Sequence, residues 1–282
     1  MKYCFMRYPE GKFKAVTFSY DDGTRSDIKF AEIIDRYGIK ATFNLCAGGL
    51  SESSSDRVTV SEALDLISRG HEIANHGYNH VALGITRHLD GIKDVLNCRL
   101  GLEEKLGRLV RGFAYPDTMR NISGENYDRI KGFLEDLGIA YARLCGRDSD
   151  NFDLPTDFFA WYPNAHHDNP EIFNYIDKFL ALEETKLYKA SRHPRLFYVW
   201  GHTAEFANKG NFDRLEKICE LLSGREDTWY ATNMEIYEYV KAYESLVFSA
   251  DGSFVYNPSL IKIWFSADGK NYSVGSGETI RL

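Results

Sequence analysis

Short apolar runs of strand length alternate along the chain with segments whose apolar positions recur every three to four residues, the period of a helix. Strands are predicted at 14–20, 39–46, 71–75, 109–115, 139–145, 158–162, 196–200 and 228–232. Helices are predicted at 26–37, 61–69, 86–106, 123–137, 170–184, 212–222 and 234–243. This alternation predicts an α/β fold with a parallel sheet inside a layer of helices. About seven repeats favour a closed or nearly closed, TIM-like (β/α)7 barrel.

The pattern changes after about residue 244. From Leu246 to Leu282 apolar and polar residues alternate, and Asp251-Gly252 and Asp268-Gly269 are turn signals. We therefore predict a barrel over residues 1–244 and a C-terminal antiparallel β extension over residues 245–282. An extension of about three or four strands is too small to be stable alone, so we expect it to pack on the barrel.

Composition narrows the class of protein. The chain has 282 residues, of which 44% are hydrophobic and 27% charged, as in ordinary globular proteins. A net charge of −7 without a basic run argues against nucleic acid as a partner. No apolar stretch is long enough for a membrane span or a signal peptide, so a cytoplasmic location is expected. The five cysteines are scattered, which argues against a disulfide framework and a cysteine-ligated zinc. Nothing in the pattern sets an oligomeric state.

Two adjacent carboxylates, Asp21 and Asp22, follow the first predicted barrel strand, and Gly23 then turns the chain. Adjacent carboxylates repel each other unless a cation or a shared proton relieves them. One of them could bind a metal ion while the other acts as a base. A solvated Asp-Asp-Gly turn is the alternative interpretation.

Two histidines, His76 and His80, lie four positions apart. On a helical turn they would share one face, so both imidazoles could reach a single ion. Two histidines and one aspartate leave positions open for water and substrate, which is typical of a catalytic centre rather than a structural one. Two solvated histidines in a polar loop are the alternative.

Three segments together resemble the polysaccharide deacetylase family (NodB-like, carbohydrate esterase family 4 type). Residues 17–23 (TFSYDDG) resemble its first motif, residues 70–80 (GHEIANHGYNH) its second, and residues 39–44 (IKATFN) its second strand. The resemblance extends over roughly 12–244 and does not include the β extension. It implies a distorted barrel and a hydrolase that removes acetyl groups from an N-acetylated, or O-acetylated, sugar or glycan.

The resemblance also implies roles for individual residues. Asp21 would be the general base, and Asp22 would bind the metal with His76 and His80. Zn²⁺ suits these ligands, and Co²⁺, Ni²⁺ or Mn²⁺ could replace it. The metal would activate a water molecule. His202, just after the strand at 196–200, would be the general acid that protonates the leaving amine; a loop histidine that caps the next helix is the alternative.

The third motif departs from the family pattern Arg-x-Pro-Tyr. Ala114 stands in place of the arginine and Asp117 in place of the tyrosine. Arg143, at the end of a later predicted strand, is another source of positive charge. By position we predict substrate contacts from Tyr115, Asp117, Arg143, Trp161, Trp200 and Glu205. Glu205 could instead orient His202, and His166 and His167 could line the cleft.

Two other functions stay open. The altered third motif is compatible with hydrolysis of a cyclic amide, imide or ureide on the same fold. The aromatic content of 14% and the β extension are compatible with a non-catalytic carbohydrate-binding protein, although pure binding needs no base such as Asp21. A serine hydrolase is disfavoured because the chain has no GxSxG elbow.

Overall fold

The computed structural model describes residues 3–117 and 121–282. The strands of this part are β1 (Cys4–Arg7), β2 (Lys14–Asp21), β3 (Ala41–Leu45), β4 (Glu72–Asn75), β5 (Gly112–Ala114), β6 (Tyr141–Arg143), β7 (Ala165–His166), β8 (Arg195–Gly201), β9 (Thr228–Tyr230), β10 (Val247–Phe248), β11 (Phe254–Tyr256), β12 (Ile263–Ala267), β13 (Lys270–Val274) and β14 (Thr279–Arg281). The helices are α1 (Ser26–Arg36), α2 (Val60–Ser68), α3 (His88–Leu106), α4 (Gly124–Asp136), α5 (Ile172–Leu180), α6 (Thr203–Lys209), α7 (Phe212–Leu222) and α8 (Asn233–Glu244).

The predicted distorted (β/α)7 barrel is confirmed. A curled parallel sheet has the strand order β6-β5-β4-β3-β2-β8-β7, and β9 pairs with the first residues of β2. The two edges of this sheet come close because one segment contacts both. Trp161 forms a parallel bridge with Arg143 of β6, and β7, a few residues later, pairs with β8.

The central strand β2 shows how the barrel acquires a polar interior. All eight of its residues are buried. Val16, Phe18 and Tyr20 belong to the apolar core that includes helix α1. The alternate residues Thr17 and Ser19 instead have polar partners, Asn233 and Asn44. Because side chains of a strand alternate between its faces, Asp21 lies on the same polar interior face.

The C-terminal segment forms five strands in two small antiparallel sheets, more strands than predicted. One sheet has the order β10-β11-β14 and the other β1-β12-β13, so the N-terminal strand completes a sheet of the extension. Tyr239 of α8 joins this sheet to the barrel, because its hydroxyl donates to Arg7 O (2.7 Å) and accepts from Trp264 N (2.9 Å). The division at residue 244 stays a prediction.

One predicted strand differs in the structure, and the short elements β1, β7 and α6 were not predicted. Of the predicted strand at 158–162, Phe158–Ala160 is a 3₁₀ turn, because the Asp157 carboxylate accepts from Phe159 N, and only Trp161 pairs with β6. The short helix α6 was not predicted; its seven residues are too few to show a helical period. Among the described residues, no helix has the length and apolar character needed to cross a bilayer.

Asp27, in the first turn of α1, is a buried carboxylate that makes stability depend on pH. Its Oδ1 accepts from the Thr203 hydroxyl, and Oδ2 has no partner among the described residues. Burial raises the pKa of this carboxyl to about 8. The unfolded value is about 4, so the free energy of unfolding should fall as the pH rises from about 4 to about 8.

We expect Asp27→Asn to remove this part of the pH dependence. Below about pH 4 the carboxyl is protonated in both states, so variant and wild type should be similarly stable there. At pH 5 the unfolded carboxyl is already mostly ionised, so the variant should have a small advantage that grows toward pH 8. At pH 8 the variant should be more stable, by on the order of 2–5 kcal/mol. Urea denaturation in chelator at pH 5 and pH 8 checks this. A stability difference that does not change between the two pH values would contradict it.

Candidate active site

The polar side chains of interest meet at the carboxyl ends of the barrel strands. Asp21 is the last residue of β2, and Arg143 is the last residue of β6. His76 directly follows β4, and His202 directly follows β8. Parallel strands present these ends at one rim of a barrel, so residues far apart in sequence become neighbours.

Asp21 is a buried carboxylate held by a buried cation. Arg143 Nη2 contacts both oxygens of this carboxylate and lies 2.7 Å from Oδ1. Asn44 Nδ2 donates a hydrogen bond to Oδ1 at 2.8 Å. Burial alone would raise the pKa of Asp21, but the Arg143 guanidinium, together with His76, His202 and the Asn44 hydrogen bond, outweighs it and the pKa is lowered. Asp21 is therefore ionised at neutral pH.

Asp22, His76 and His80 form a triangle of possible metal ligands. Asp22 Oδ1 lies 3.6 Å from His76 Nε2 and 3.5 Å from His80 Nε2. Ligand atoms on a tetrahedral zinc, each about 2.0–2.1 Å from the ion, are ~3.3 Å apart. The spacing and the nitrogen and oxygen donors therefore fit a divalent ion such as Zn²⁺.

The orientation of His76 supports this ligand role. Its Nδ1 lies 2.9 Å from the carbonyl oxygen of Ala114, which fixes the proton on Nδ1 and leaves the Nε2 lone pair facing the carboxylates. Burial lowers the pKa of His76, so the ring is neutral, as a metal ligand must be. Ala114, which replaces the third-motif arginine, thus contributes through its backbone.

His76 and His80 do not lie on a helical turn, which corrects the sequence prediction. The chain from 76 to 80 is a loop, with Gly77 (φ 78°) and His80 (φ 57°) in the left-handed region. The Asp94 carboxylate of α3 accepts from the backbone N–H of Tyr78 and Asn79, at 3.0 and 2.9 Å. A Cβ at Gly77 would lie 2.5 Å from Asp94 Oδ2, so this contact requires glycine.

Asp22 also has a left-handed backbone, with φ 81°. This conformation costs a non-glycine residue about 1–2 kcal/mol. Two contacts hold it: Asp22 N donates to Asn44 O (3.1 Å), and Arg57 Nη1 donates to Asp22 O (2.6 Å). Beside these residues is a cavity of about 400 Å³ lined by Asp22, Cys46, Gly49, Arg57, Tyr78, Asn79 and His80.

His202 faces the two carboxylates. Its Nε2 lies 4.0 Å from Asp21 Oδ2 and 4.0 Å from Asp22 Oδ2, and its Nδ1 lies 3.1 Å from Glu205 Oε1. Burial alone would lower the pKa of His202, but the contact with Glu205 and the charges of Asp21 and Asp22 raise it. The imidazole is therefore held closer to its protonated form.

Three of the predicted substrate contacts are buried side chains. Tyr115 and Trp161 are each 1% exposed, and Arg143 is fully buried. The Tyr115 hydroxyl donates to Phe159 O (3.2 Å), and Trp161 packs edge-on against Tyr141 and Tyr198. These large side chains fill the interior of the barrel, and none of them lines the cavity beside Asp22. Their contact with substrate stays a prediction.

Two other predicted substrate contacts, Trp200 and Asp117, differ in their exposure. Trp200 is half-buried, and the Arg143 guanidinium lies 4.9 Å from the centre of its ring. Asp117 is exposed and also has a positive φ of 41°. Sequence reasoning missed Asn44, Arg57 and Asp94, all of which support site residues. Asn44 had a signal, since asparagine is disfavoured in strands and this one stands between Phe43 and Leu45.

Comparison with known proteins agrees with the sequence resemblance. The family model described as polysaccharide deacetylase matches residues 8–141. This segment includes Asp21, Asp22, His76 and His80, but ends before Arg143 and His202. The predicted resemblance to this family is confirmed over these residues. No curated protein sequence matches the chain.

Solved structures share the fold. A probable polysaccharide deacetylase from Pseudomonas aeruginosa PAO1 is 15% identical, with a TM-score of 0.60 over 82% of this chain and 92% of that chain. A provisionally assigned polysaccharide deacetylase from Mycobacterium smegmatis is 17% identical, with a TM-score of 0.56 over 84% and 93%. The match to the Streptococcus pyogenes deacetylase PplD (17% identity, TM-score 0.42) covers 46% of this chain, which spans 55% of that one. The first two similarities establish the fold of polysaccharide deacetylases for this chain.

We expect Asp22→Gly to separate metal binding from backbone strain. Glycine accepts the left-handed conformation, so without metal the variant should be as stable as the wild type or about 1 kcal/mol more stable. Zn²⁺ should raise the melting temperature of the wild type but not of the variant. Thermal unfolding with Zn²⁺ and with chelator measures both effects. Asp22→Asn is the control, because it removes the charge and keeps the strain; equal Zn²⁺ stabilisation of all three proteins would refute the assignment.

We expect Arg143→Met to destabilise the protein by about 3–5 kcal/mol, because it leaves Asp21 charged and buried without its partner. The double variant Arg143→Met with Asp21→Asn should recover much of this loss, since no buried charge remains. Urea denaturation gives the free energies of unfolding. Arg147→Met, at an exposed arginine nearby, is the matched control and should change stability little. If the two substitutions lowered the free energy of unfolding additively in the double variant, the result would contradict the pairing of Asp21 with Arg143.

Proposed function

We propose that this chain is a metal-dependent hydrolase that removes acetyl groups from N-acetylated, or O-acetylated, sugars. The observation that carries the proposal is the arrangement of Asp21, Asp22, His76, His80 and His202 at one rim of the barrel. This rim combines a triangle of potential metal ligands, an ionised carboxylate and an imidazole, and Asp22 and His80 of the triangle line an open cavity. The family match adds support.

Asp22, His76 and His80 would hold the ion. Nitrogen and carboxylate donors favour Zn²⁺, and Co²⁺, Ni²⁺ or Mn²⁺ could occupy the same ligands. When bound, the ion would supply a Lewis acid that polarises the acetyl carbonyl and acidifies water. The remaining functions belong to side chains of the chain itself.

Asp21 is proposed as the general base. It lies within 4.0 Å of His76 Nε2, beside the metal-ligand triangle, and its low pKa keeps it ready to accept a proton from the attacking water. Arg143 and Asn44 fix its orientation. Their contacts weaken it as a base, but they ensure that it is unprotonated at neutral pH.

His202 is proposed as the general acid. Its Nδ1 faces Glu205, which leaves the Nε2–H edge turned toward the Asp21 and Asp22 carboxylates. Its raised pKa increases the protonated fraction, and Nε2 would deliver that proton to the leaving nitrogen of the sugar.

The observation that favoured a cyclic amide or imide as substrate was the absence of arginine at position 114. Arg143 now supplies positive charge to Asp21 from another strand. A lost arginine therefore no longer argues for a different reaction, and acetyl hydrolysis is the better-supported proposal.

The test combines metal analysis with acetate release. We expect about one zinc per chain and chelator-sensitive release of acetate from small N-acetylated sugars. His76→Ala and His80→Ala should each lose the bound metal and lower the rate at least about 100-fold. The exposed His193, at the opposite end of β8, provides the control His193→Ala, which should keep both. Full activity of either metal-ligand variant would disprove the proposal.

A further inference from the structure

Glu205, in the first turn of α6, is surrounded by three histidines. His202 Nδ1 lies 3.1 Å from Oε1, while His166 Nε2 and His167 Nε2 lie 3.2 and 3.1 Å from Oε2. The contacts to Oε2 are close but not linear, so their attraction is mainly electrostatic. Burial alone would raise the pKa of Glu205, but the contacts with the three histidines lower it. Glu205 is thus held as an anion.

His167 is rigidly enclosed. It is fully buried, its ring stacks on Phe206 at 4.0 Å between centroids, and Tyr20 lies near-parallel at 5.7 Å. A Cβ at Gly201 would lie 2.0 Å from His167 Nδ1, so the backbone of β8 passes directly against the ring. The ring therefore has no room to rotate, and its Nε2 stays directed at Glu205.

The ring of His166 is oriented by a hydrogen bond to its Nδ1. Asp168 N donates to His166 Nδ1 at 3.2 Å, so in the neutral ring the proton is on Nε2, the atom that faces Glu205. Trp200 packs edge-on against the ring at 4.8 Å. Both imidazoles thus bring Nε2 to the same carboxylate oxygen.

A second metal ion is the competing interpretation, since His166, His167, Asp168 and Glu205 place ligand atoms within 4.8 Å of one another. Two contacts argue against it. Lys209 and Arg214 approach the two oxygens of Asp168, so that carboxylate already has cationic partners. His166 Nδ1 accepts a hydrogen bond, so its Nε2 carries a proton and has no lone pair for a metal.

We propose that His166 and His167 are positioning residues that clamp Glu205, and that Glu205 in turn orients His202 for proton donation. This inference rests on the proposed function. A glutamate near a helix N-terminus has several rotamers, and His202 by itself would not select one of them. Contacts from two further rings restrict Glu205 to the rotamer that holds His202 Nδ1, so Nε2 points to the reacting centre.

This role predicts a dependence on the leaving group. An amine is a poor leaving group and needs a proton from His202, whereas 4-nitrophenolate leaves without one. Loss of the clamp should therefore slow N-acetyl sugar hydrolysis and spare 4-nitrophenyl acetate hydrolysis. A general loss of structure or metal would slow both reactions.

The experiment uses His167→Phe, which keeps the ring stack, and His166→Gln, at the partly exposed histidine. For each we expect kcat on an N-acetylated sugar to fall about 10–100-fold with KM nearly unchanged. Hydrolysis of 4-nitrophenyl acetate should stay within about twofold of wild type. His193→Phe is the matched control. Equal losses on both substrates, or no loss on the sugar, would overturn the inference.

A second measurement does not depend on turnover. The strongly deshielded proton NMR signal of the His202 ring N–H should be present in the wild type, absent in Glu205→Gln and shifted in His167→Phe. An unchanged signal in His167→Phe would overturn the clamp. If His167→Phe bound one metal ion fewer per chain than the wild type, that result would also overturn the clamp and would indicate a second metal centre. Absence of acetyl-sugar hydrolysis in the wild type would instead be a failure of the proposed function.

Discussion

The buried contact between Asp21 and Arg143 is the interaction on which the rest of the site depends. The two residues end strands β2 and β6, which lie four positions apart in the sheet, and 122 residues separate them in sequence. A charge that is buried without its partner is strongly destabilising, so the sheet must curl until these two ends meet. The contact therefore joins the closure of the barrel to the ionisation of the proposed base.

Around that contact, the proposed metal ligands are held by the backbone and by residues that would not touch the metal. Asp22 and His80 have left-handed backbones, which persist because Arg57, Asn44 and Asp94 fix the loops that carry them. Strain of this kind tends to occur where a precise geometry matters more than local stability. Glu205 extends the same design to His202, whose ring is oriented by a carboxylate that other rings constrain.

Much of this arrangement could be predicted from local sequence. The alternation of strands and helices predicted the barrel, and the carboxylates and histidines predicted a triangle of donors that the structure brings together. Residues that act through long-range packing were interpreted less well. Tyr115 and Trp161 were predicted as substrate contacts from their positions after strands, and the structure buries both rings inside the barrel, where large apolar area favours packing.

The sequence by itself determined the period of the elements, the strand ends that carry acids and histidines, and the resemblance to polysaccharide deacetylases, because these properties reside in neighbouring residues. Tertiary structure alone decided that Arg143 replaces the charge missing at Ala114, and that His166, His167 and His202 share one carboxylate. Such contacts depend on how the strands are ordered and how far the sheet curls. Those quantities are set by packing of the whole chain, and no local pattern encodes them.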